Sequence, residues 1–238
     1  MKALLLDLDD TLLDYSGGAE QCWAEACAAV AGSLDQARLV AALAATRRWF
    51  WDDPERHRRE RRQMLRAWTQ IATHALEAYG APAPELAAAI AADFSARRRS
   101  VMALFPETLG CLGALRARGL PLALVTNGDA REQRWKIERC ALAPFFGAIV
   151  IEGELGAGKP DPVVYETALK ALGVEPGADV WMVGDHLEFD VAGPQRFGLH
   201  GVWLDRAGTG LPATTAVRPD RIVRALDEVV HACREVRP

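Results

Sequence analysis

An apolar run that ends abruptly in carboxylates, close to the N-terminus, most constrains how this chain can fold. The segment Ala3–Leu6 is followed at once by Asp7, with Asp9 two residues later. Such a run is typical of a strand buried on both faces of a parallel sheet, and ligands in open α/β sheets bind beyond the carboxyl ends of such strands. Because like charges this close repel each other, the pair predicts a bound Mg²⁺ or a carboxyl group that keeps its proton, and we expect each at a different stage of a reaction.

Strands and helices alternate along the second part of the chain. After Ala3–Leu6, the apolar pattern predicts strands at Leu120–Val125, Ala148–Ile151, Val180–Val183 and Gly201–Leu204. Between and after them it predicts helices at Pro106–Gly119, Ala130–Cys140, Pro162–Leu172, Val191–Phe197 and Arg218–Arg234. This alternation predicts an α/β fold with a doubly wound, Rossmann-like parallel sheet.

The segment Gly18–Arg99 has a different pattern. It is rich in alanine, leucine, glutamate and arginine, contains no convincing strand, and is broken near residues 32–33, 53–54 and 80–82. We predict that it folds into about four helices. Residues 17–100 would then form a helical domain inserted into a core domain of residues 1–16 and 101–238, with flexible linkers near residues 15–18 and 100–105.

Composition excludes several classes of protein. The chain of 238 residues carries a formal net charge of −4 and has a pI near 5.8, which argues against nucleic-acid or membrane-surface partners. We expect no leader or membrane span, because the first apolar stretch is short and Asp7 interrupts it. Five scattered cysteines without paired spacing predict buried, reduced thiols in a cytoplasmic protein.

Polar clusters also follow three of the later predicted strands. They contain Thr126-Asn127-Gly128, Gly158-Lys159-Pro160, and Gly184-Asp185 with Asp190 following. Together with Asp7-Leu8-Asp9-Asp10-Thr11, these clusters in this order resemble the haloacid dehalogenase superfamily, in the phosphatase-type branch that inserts a helical cap after its first motif. The likeness covers essentially the whole chain. It implies a Rossmann-like core, a cap over residues 17–100 and a dependence on Mg²⁺.

The resemblance assigns the chemistry to the two N-terminal aspartates. Asp7 would be the nucleophile that attacks phosphorus and forms an aspartyl-phosphate. Asp9 would protonate the departing alcohol and later take a proton from water. Dehalogenases of this superfamily lack an aspartate at the second position, so Asp9 favours phosphoryl transfer over carbon–halogen cleavage. Thr11 is expected to order the turn.

The next two clusters would bind the phosphoryl group. Thr126 and the backbone amides of Asn127 and Gly128 would hold the phosphoryl oxygens, since glycine permits a close approach of the backbone. Lys159 would offset the charge of Asp7 and of the phosphoryl group.

The last cluster would complete the metal site. Asp185 would share Mg²⁺ with Asp7 and with the backbone carbonyl of Asp9. Asp190 would bind a metal-bound water or orient Lys159. Phe189 replaces the asparagine common in similar phosphatases, which puts the affinity for the metal in doubt. His186 and Glu188 are expected to have backbone and solvent roles.

One segment of the cap, Arg47–Arg62, has an unusual content of arginine and tryptophan. It would present Trp51 and Arg58, together with Trp49, Arg56 and His57, to the substrate's leaving group. The favoured alternative for most of these residues is a solvated arginine and glutamate face with the tryptophans in the core of the cap.

The sequence thus predicts a Mg²⁺-dependent phosphomonoester hydrolase that acts on a small phosphorylated metabolite through an aspartyl-phosphate, as a monomer or homodimer. A phosphomutase or phosphotransferase of the same superfamily would differ only in its acceptor. A protein that binds a phosphometabolite without turning it over is a further alternative. Dehalogenation is disfavoured by Asp9.

Overall fold

The computed structural model describes residues 1–235 and divides the chain into two compact units. The core unit comprises Met1–Asp14 and the chain from Ala103 onward, and the cap unit comprises Tyr15–Met102. The predicted insert, residues 17–100, begins two residues after the cap unit and ends two residues before it.

Six strands of the core unit form one parallel sheet. The strands of the described residues are β1 Ala3–Leu6, β2 Leu13–Asp14, β3 Ala103–Leu104, β4 Leu122–Thr126, β5 Ala148–Ile151, β6 Val180–Gly184, β7 His200–Leu204 and β8 Arg221–Val223. The sheet has the order β5-β4-β1-β6-β7-β8, and every neighbouring pair is parallel. This order confirms the predicted doubly wound α/β core.

Burial explains why the central strands lie where they do. Every residue of β1, β4 and β6 is buried, as expected for strands with helices on both faces. Since parallel strands present their carboxyl ends at one edge of the sheet, the residues that follow β1, β4 and β6 meet there.

Eleven α-helices accompany the strands in the described residues. They are α1 Ala19–Val30, α2 Gln36–Asp52, α3 Pro54–Glu60, α4 Met64–Tyr79, α5 Pro84–Val101, α6 Thr108–Ala117, α7 Ala130–Arg139, α8 Glu152–Leu155, α9 Pro162–Leu172, α10 Gly193–Arg196 and α11 Leu226–Glu235. None of these helices, over residues 1–235, is both long and apolar enough to cross a lipid bilayer.

One predicted helix was wrong. The segment Arg218–Arg234 is not one helix: β8 occupies its first part as an edge strand paired with β7, and α11 begins only at Leu226. Only one residue of β8, Val223, is buried, so its sequence carries little of the apolar signal of a strand. The second linker, near residues 100–105, contains β3, which pairs antiparallel with β2.

The cap unit is built from α1 to α5 around its own apolar core. Trp23 of α1 and Phe94 of α5 stack with their ring centroids 3.8 Å apart, and Trp68 of α4 meets Phe94 edge-on at 5.1 Å. Pro at the start of α5, and Gly80 in a left-handed conformation after α4, mark the boundary between these two helices. The cap therefore contains five helices, one more than predicted.

Candidate active site

Two neighbouring strands of the sheet each end in an aspartate. Asp7 follows β1 and Asp185 follows β6, and Leu6 is paired with Val183 in the ladder between these strands. The N–H group of Asp7 donates to the carbonyl oxygen of Val183 at 3.0 Å, so the ladder continues to the first carboxylate. Strand pairing by itself therefore brings Asp7 and Asp185 together.

Asp190 adds a third carboxylate to this pair, and we call Asp7, Asp185 and Asp190 the carboxylate cluster. One carboxylate oxygen from each lies within 4.8 Å of the others. A π-helical turn over Leu187–Ala192 carries Asp190, whose side chain is buried. Gly184 is the last residue of β6. A Cβ atom there would lie 2.3 Å from the Asp190 carboxyl group, so the lack of a side chain at Gly184 leaves room for Asp190.

Lys159 joins two members of the carboxylate cluster. Its Nζ donates to Asp7 Oδ1 and to Asp190 Oδ1, both at 2.6 Å, and its side chain is 2% exposed. The other oxygen of Asp7, Oδ2, accepts a hydrogen bond from the Thr11 hydroxyl at 3.1 Å. With one ammonium group among three ionised carboxylates, the site would carry a net charge of about −2.

The electrostatics of the cluster favour a cation. Burial raises the pKa of Asp7 to about 7, an effect that Lys159 opposes and the charge of Asp190 reinforces. Burial also raises the pKa of Asp185 to about 8, and the charges of Asp7 and Asp190 add to this. Burial alone would lower the pKa of Lys159, but the carboxylates of Asp190 and Asp7 outweigh it and hold that pKa above its usual range. An all-oxygen donor set with excess negative charge fits a hard divalent cation such as Mg²⁺.

The loop after β4 positions Lys159. Asn127 holds the backbone of Lys159 from both sides: its Oδ1 accepts from the Lys159 N–H at 2.7 Å, and its Nδ2 donates to the Lys159 carbonyl at 2.9 Å. The N–H of Gly128, where φ is 120°, donates to Glu152 Oε2 at 2.8 Å. The buried Glu152 carboxylate thus accepts the hydrogen of this amide, and the predicted contact of the amide with a phosphoryl oxygen stays a prediction.

Asp9 lies outside the carboxylate cluster and is held by α7. Lys136 Nζ donates to Asp9 Oδ1 at 2.8 Å and to Oδ2 at 2.7 Å, and Gln133 Nε2 donates to Oδ2 at 3.0 Å. The same Gln133 Nε2 lies 2.6 Å from Thr126 Oγ1. Two predicted site residues, Asp9 and Thr126, thus meet on one face of α7. The predicted use of the Asp9 carbonyl as a metal ligand stays a prediction.

Gln133 and Lys136 are two buried polar groups beside Asp9 that were not predicted from the sequence. Both are buried, and Ile137 completes the inward face of α7. A lysine beside isoleucine on the inward face of a predicted helix is unusual, because lysine is rarely buried without a partner. The position of Lys136 on the apolar face of the helix was the feature of the sequence that could have indicated a buried partner.

His186 and its neighbours shape the turn that carries Asp190. The N–H of His186 donates to Asp190 Oδ2 at 3.0 Å, and its ring Nδ1 accepts from the N–H groups of Glu188 and Phe189 at 3.2 and 3.3 Å. The rings of His186 and Phe189 stack with centroids 3.9 Å apart. Glu188 pairs with Arg196 at 2.6 Å near the surface. The contacts of His186 therefore stabilise the turn that carries Asp190.

The two cap residues predicted to contact substrate lie in the cap unit. Trp51 packs partly buried against the apolar core of the cap and meets His57 edge-on at 5.5 Å. Arg58 is exposed on α3. Arg56 lies over the ring of Trp49 at 4.1 Å. Their roles in binding stay predictions.

Comparison with known proteins agrees with this arrangement. The family of haloacid dehalogenase-like hydrolases matches residues 1–198. A phosphoserine phosphatase of Thermus thermophilus is 37% identical over 96% of this chain and 98% of its own length. A glyceraldehyde 3-phosphate phosphatase of Methanopyrus kandleri is 32% identical over 87% of this chain and 84% of its own. Haloacid dehalogenases also match, at 29% and 27% identity over about half of the chain.

Solved structures share the fold along the full length. The magnesium-bound haloacid dehalogenase-type hydrolase YfnB of Bacillus subtilis superposes with a TM-score of 0.76 at 21% identity, covering 97% of each chain. The predicted resemblance is therefore confirmed, and the chain belongs to the family of haloacid dehalogenase-like hydrolases.

Proposed function

We propose that this hydrolase is a Mg²⁺-dependent phosphomonoesterase that transfers the phosphoryl group of a small phosphorylated metabolite first to Asp7 and then to water. The observation that carries the proposal is the position of Lys159 Nζ, 2.6 Å from both Asp7 and Asp190. A buried ammonium group at this point supports a carboxylate that must approach a phosphoryl group of like charge.

Asp7, Asp185 and Asp190 are the residues that would hold Mg²⁺. Their oxygens lie within 4.8 Å of one another, and hard oxygen ligands suit this cation. When bound, the cation would neutralise charge on the phosphoryl oxygens. The relative YfnB, whose structure contains magnesium, supports the same choice.

The chain's own residues supply the remaining steps. The Asp7 carboxylate attacks phosphorus, the bond to the alcohol oxygen breaks, and that oxygen takes the proton of Asp9. Water then attacks phosphorus, gives a proton back to Asp9, and releases phosphate and the Asp7 carboxylate. Thr126, whose hydroxyl accepts from Gln133, would donate to a phosphoryl oxygen.

Asp9 also favours phosphate esters over haloacids. An alkoxide is a poor leaving group that needs a proton, whereas a halide leaves without one. The phosphatases that match nearly the whole chain act, by their names, on phosphoserine and glyceraldehyde 3-phosphate, which supports a small phosphorylated alcohol as substrate.

We further propose that the enzyme works in the cytoplasm as a monomer or homodimer, without nucleic-acid or membrane partners. Its cysteines, Cys22, Cys27, Cys111, Cys140 and Cys233, are free thiols. Such thiols support a reducing compartment.

A phosphate-release assay tests the proposal. The purified protein is incubated with 4-nitrophenyl phosphate and with a panel of small phosphate esters, with Mg²⁺ or with EDTA. We expect turnover only with Mg²⁺, and a loss of about a thousandfold or more in Asp7→Asn, because the amide is no nucleophile. Circular dichroism checks that the variant is folded. Wild-type turnover by Asp7→Asn would contradict the assignment of the nucleophile.

A further inference from the structure

We propose that Lys136, with Gln133, is a positioning residue that fixes the carboxyl group of Asp9 so that its Oδ1 atom alone exchanges a proton with the leaving group and with water. This inference rests on the proposed phosphatase function. It adds a residue that lies on a helix rather than in any of the four polar clusters, 127 positions from Asp9 in the chain.

The hydrogen bonds at Asp9 are unequal at its two oxygens. Oδ2 accepts from Lys136 at 2.7 Å and from Gln133 at 3.0 Å, whereas Oδ1 accepts from Lys136 at 2.8 Å. A carboxylate oxygen has two lone pairs; two donor groups face Oδ2, whereas one faces Oδ1. The remaining lone pair of Oδ1 is the position where a proton can be held.

The side chains around Asp9 differ in how far they are exposed to solvent. The side chains of Lys136 and Gln133 are 5% and 2% exposed, while that of Asp9 is 25% exposed. The carboxyl group thus has one side closed by α7 and another side open. Leaving a buried lysine unpaired in the interior is costly, so the contact of Lys136 with both oxygens of Asp9 holds this carboxyl group in one orientation.

Gln133 ties this geometry to the phosphoryl site. Its Nε2 also lies 2.6 Å from Thr126 Oγ1 and 3.0 Å from the carbonyl oxygen of Asn127, so its two hydrogens are shared among three acceptors. The proton donor and the loop after β4 are therefore held by a single amide group. A helix fixed by tertiary packing positions such groups better than a loop does.

The fixed carboxyl group has a defined part in each step. As Asp7 attacks phosphorus, the ester bond breaks and its electron pair stays on the alcohol oxygen, which takes the proton from Asp9 Oδ1. Lys136 remains on the carboxylate that this leaves and stabilises its charge. In the second step the attacking water returns a proton to Oδ1, which restores the starting state.

The same helix provides a matched control. Arg134 of α7 donates to both oxygens of Glu154, at 2.6 and 2.7 Å, in a partly exposed ion pair. This pair has the same charges and a similar two-contact geometry, but it touches neither Asp9 nor Thr126. The Arg134→Met substitution therefore removes a helix cation without disturbing Asp9.

The test compares two substrates that differ in their need for a proton. Phenyl phosphate and 4-nitrophenyl phosphate are similar in size, but phenol is the poorer leaving group. For Lys136→Met we expect kcat/KM to fall about tenfold or more on phenyl phosphate and less than about threefold on 4-nitrophenyl phosphate, because only the first depends strongly on general acid assistance. Arg134→Met should keep the wild-type ratio of the two values.

A double variant isolates the route through Asp9. If Lys136 acts through Asp9, then Asp9→Asn and the double variant Asp9→Asn with Lys136→Met should have the same kcat/KM on phenyl phosphate, the ester on which Lys136→Met alone has the larger effect. Should Lys136→Met fail to fold, Lys136→Gln, which keeps a neutral donor, is measured in its place and should shift the ratio in the same direction.

The outcomes separate this inference from the function on which it rests. A wild-type protein that hydrolyses neither ester with Mg²⁺ overturns both. A wild-type protein that is active, with an unchanged substrate ratio in the Lys136 variants or with effects that multiply in the double variant, overturns the role of Lys136 alone.

Discussion

Two lysine–carboxylate regions of the core unit differ in how their charges balance. In the carboxylate cluster, the buried Lys159 faces Asp7 and Asp190, with Asp185 close by, so the acids outnumber the base. In the second region, Lys136 donates to both oxygens of Asp9, so this ion pair joins one base to one acid. The first region thus has an excess of negative charge that a cation would offset, whereas the charges of the ion pair in the second region cancel.

This difference separates two roles that the sequence presents side by side. Asp7 and Asp9 are two residues apart, yet the strand geometry directs one to β6 and the other to α7. An excess of buried negative charge suits a site that must bind metal and phosphate. A paired carboxyl group at partial exposure suits proton exchange with a substrate.

The largest expected effect comes from removing the base of the first region. In Lys159→Met, Asp7 and Asp190 lose their shared counter-charge in the interior. We expect kcat to fall about a thousandfold and the free energy of unfolding at pH 8 without metal to fall by about 3–5 kcal/mol, as for other buried pairs that lose one partner. Phosphate release and urea unfolding measure the two effects.

The control for this variant is Lys170→Met, which removes an exposed lysine of α9. Its unfolding midpoint and its kcat should match those of the wild type. A Lys159→Met protein as stable as the control would show that the carboxylate cluster does not depend on Lys159 for its charge balance.

A second, smaller effect is expected from the space that Gly184 provides. In Gly184→Ala, the new Cβ would lie 2.3 Å from the Asp190 carboxyl, so this side chain must shift. We expect a loss of about 1–3 kcal/mol in stability, as for other overpacked interiors, together with a raised Mg²⁺ requirement in a titration of activity.

Gly113→Ala is the matched control, because a Cβ at this position of α6 meets nothing within 4 Å. Alanine there should raise the stability by up to about 1 kcal/mol, since it is the better helix former. If the two glycine variants have the same stability and the same Mg²⁺ requirement, the close contact between Gly184 and Asp190 does not affect metal binding.

The residues at the strand ends could be placed from the sequence, but the side chains that contact them could not. Asp7 and Asp185 could be placed together because apolar runs fix their strands and parallel pairing fixes the edge. The partners of Asp9 could not, because Gln133 and Lys136 follow a helical period whose rotation relative to the sheet is set by packing. Glu152 was missed for a similar reason: it is the first residue of α8, and its contact with Gly128 joins this helix to the loop after β4.

The edge strand β8 and the cap also show that contacts set by tertiary packing cannot be predicted from the local sequence. The strand β8 is short and mostly exposed, so its pairing with β7 is decided by the sheet and not by its own residues. In the cap, composition predicted helices, but which arginine or tryptophan side chains face a ligand depends on contacts that no local pattern encodes.

The last prediction concerns how the stability conferred by the carboxylate cluster depends on pH. Burial raises the pKa of Asp7 to about 7 and that of Asp185 to about 8. The folded, metal-free protein therefore binds protons that the unfolded chain releases above pH 4 or so. By linkage, its stability should fall as the pH rises from about 4 to about 8, with a slope of at most about 1.4 kcal/mol per pH unit for each proton.

A bound divalent cation should remove this slope, because it takes the place of the protons. We expect the urea midpoint in EDTA to decrease between pH 5 and pH 8, and the stabilisation by Mg²⁺ to be largest at pH 8. The Asp185→Asn variant should show a weaker dependence in EDTA, since it removes one of the two raised carboxyl groups. Parallel pH profiles with and without Mg²⁺ would mean that the carboxylate cluster is not where the cation binds, and the contrast between the two regions would then lie in their burial alone.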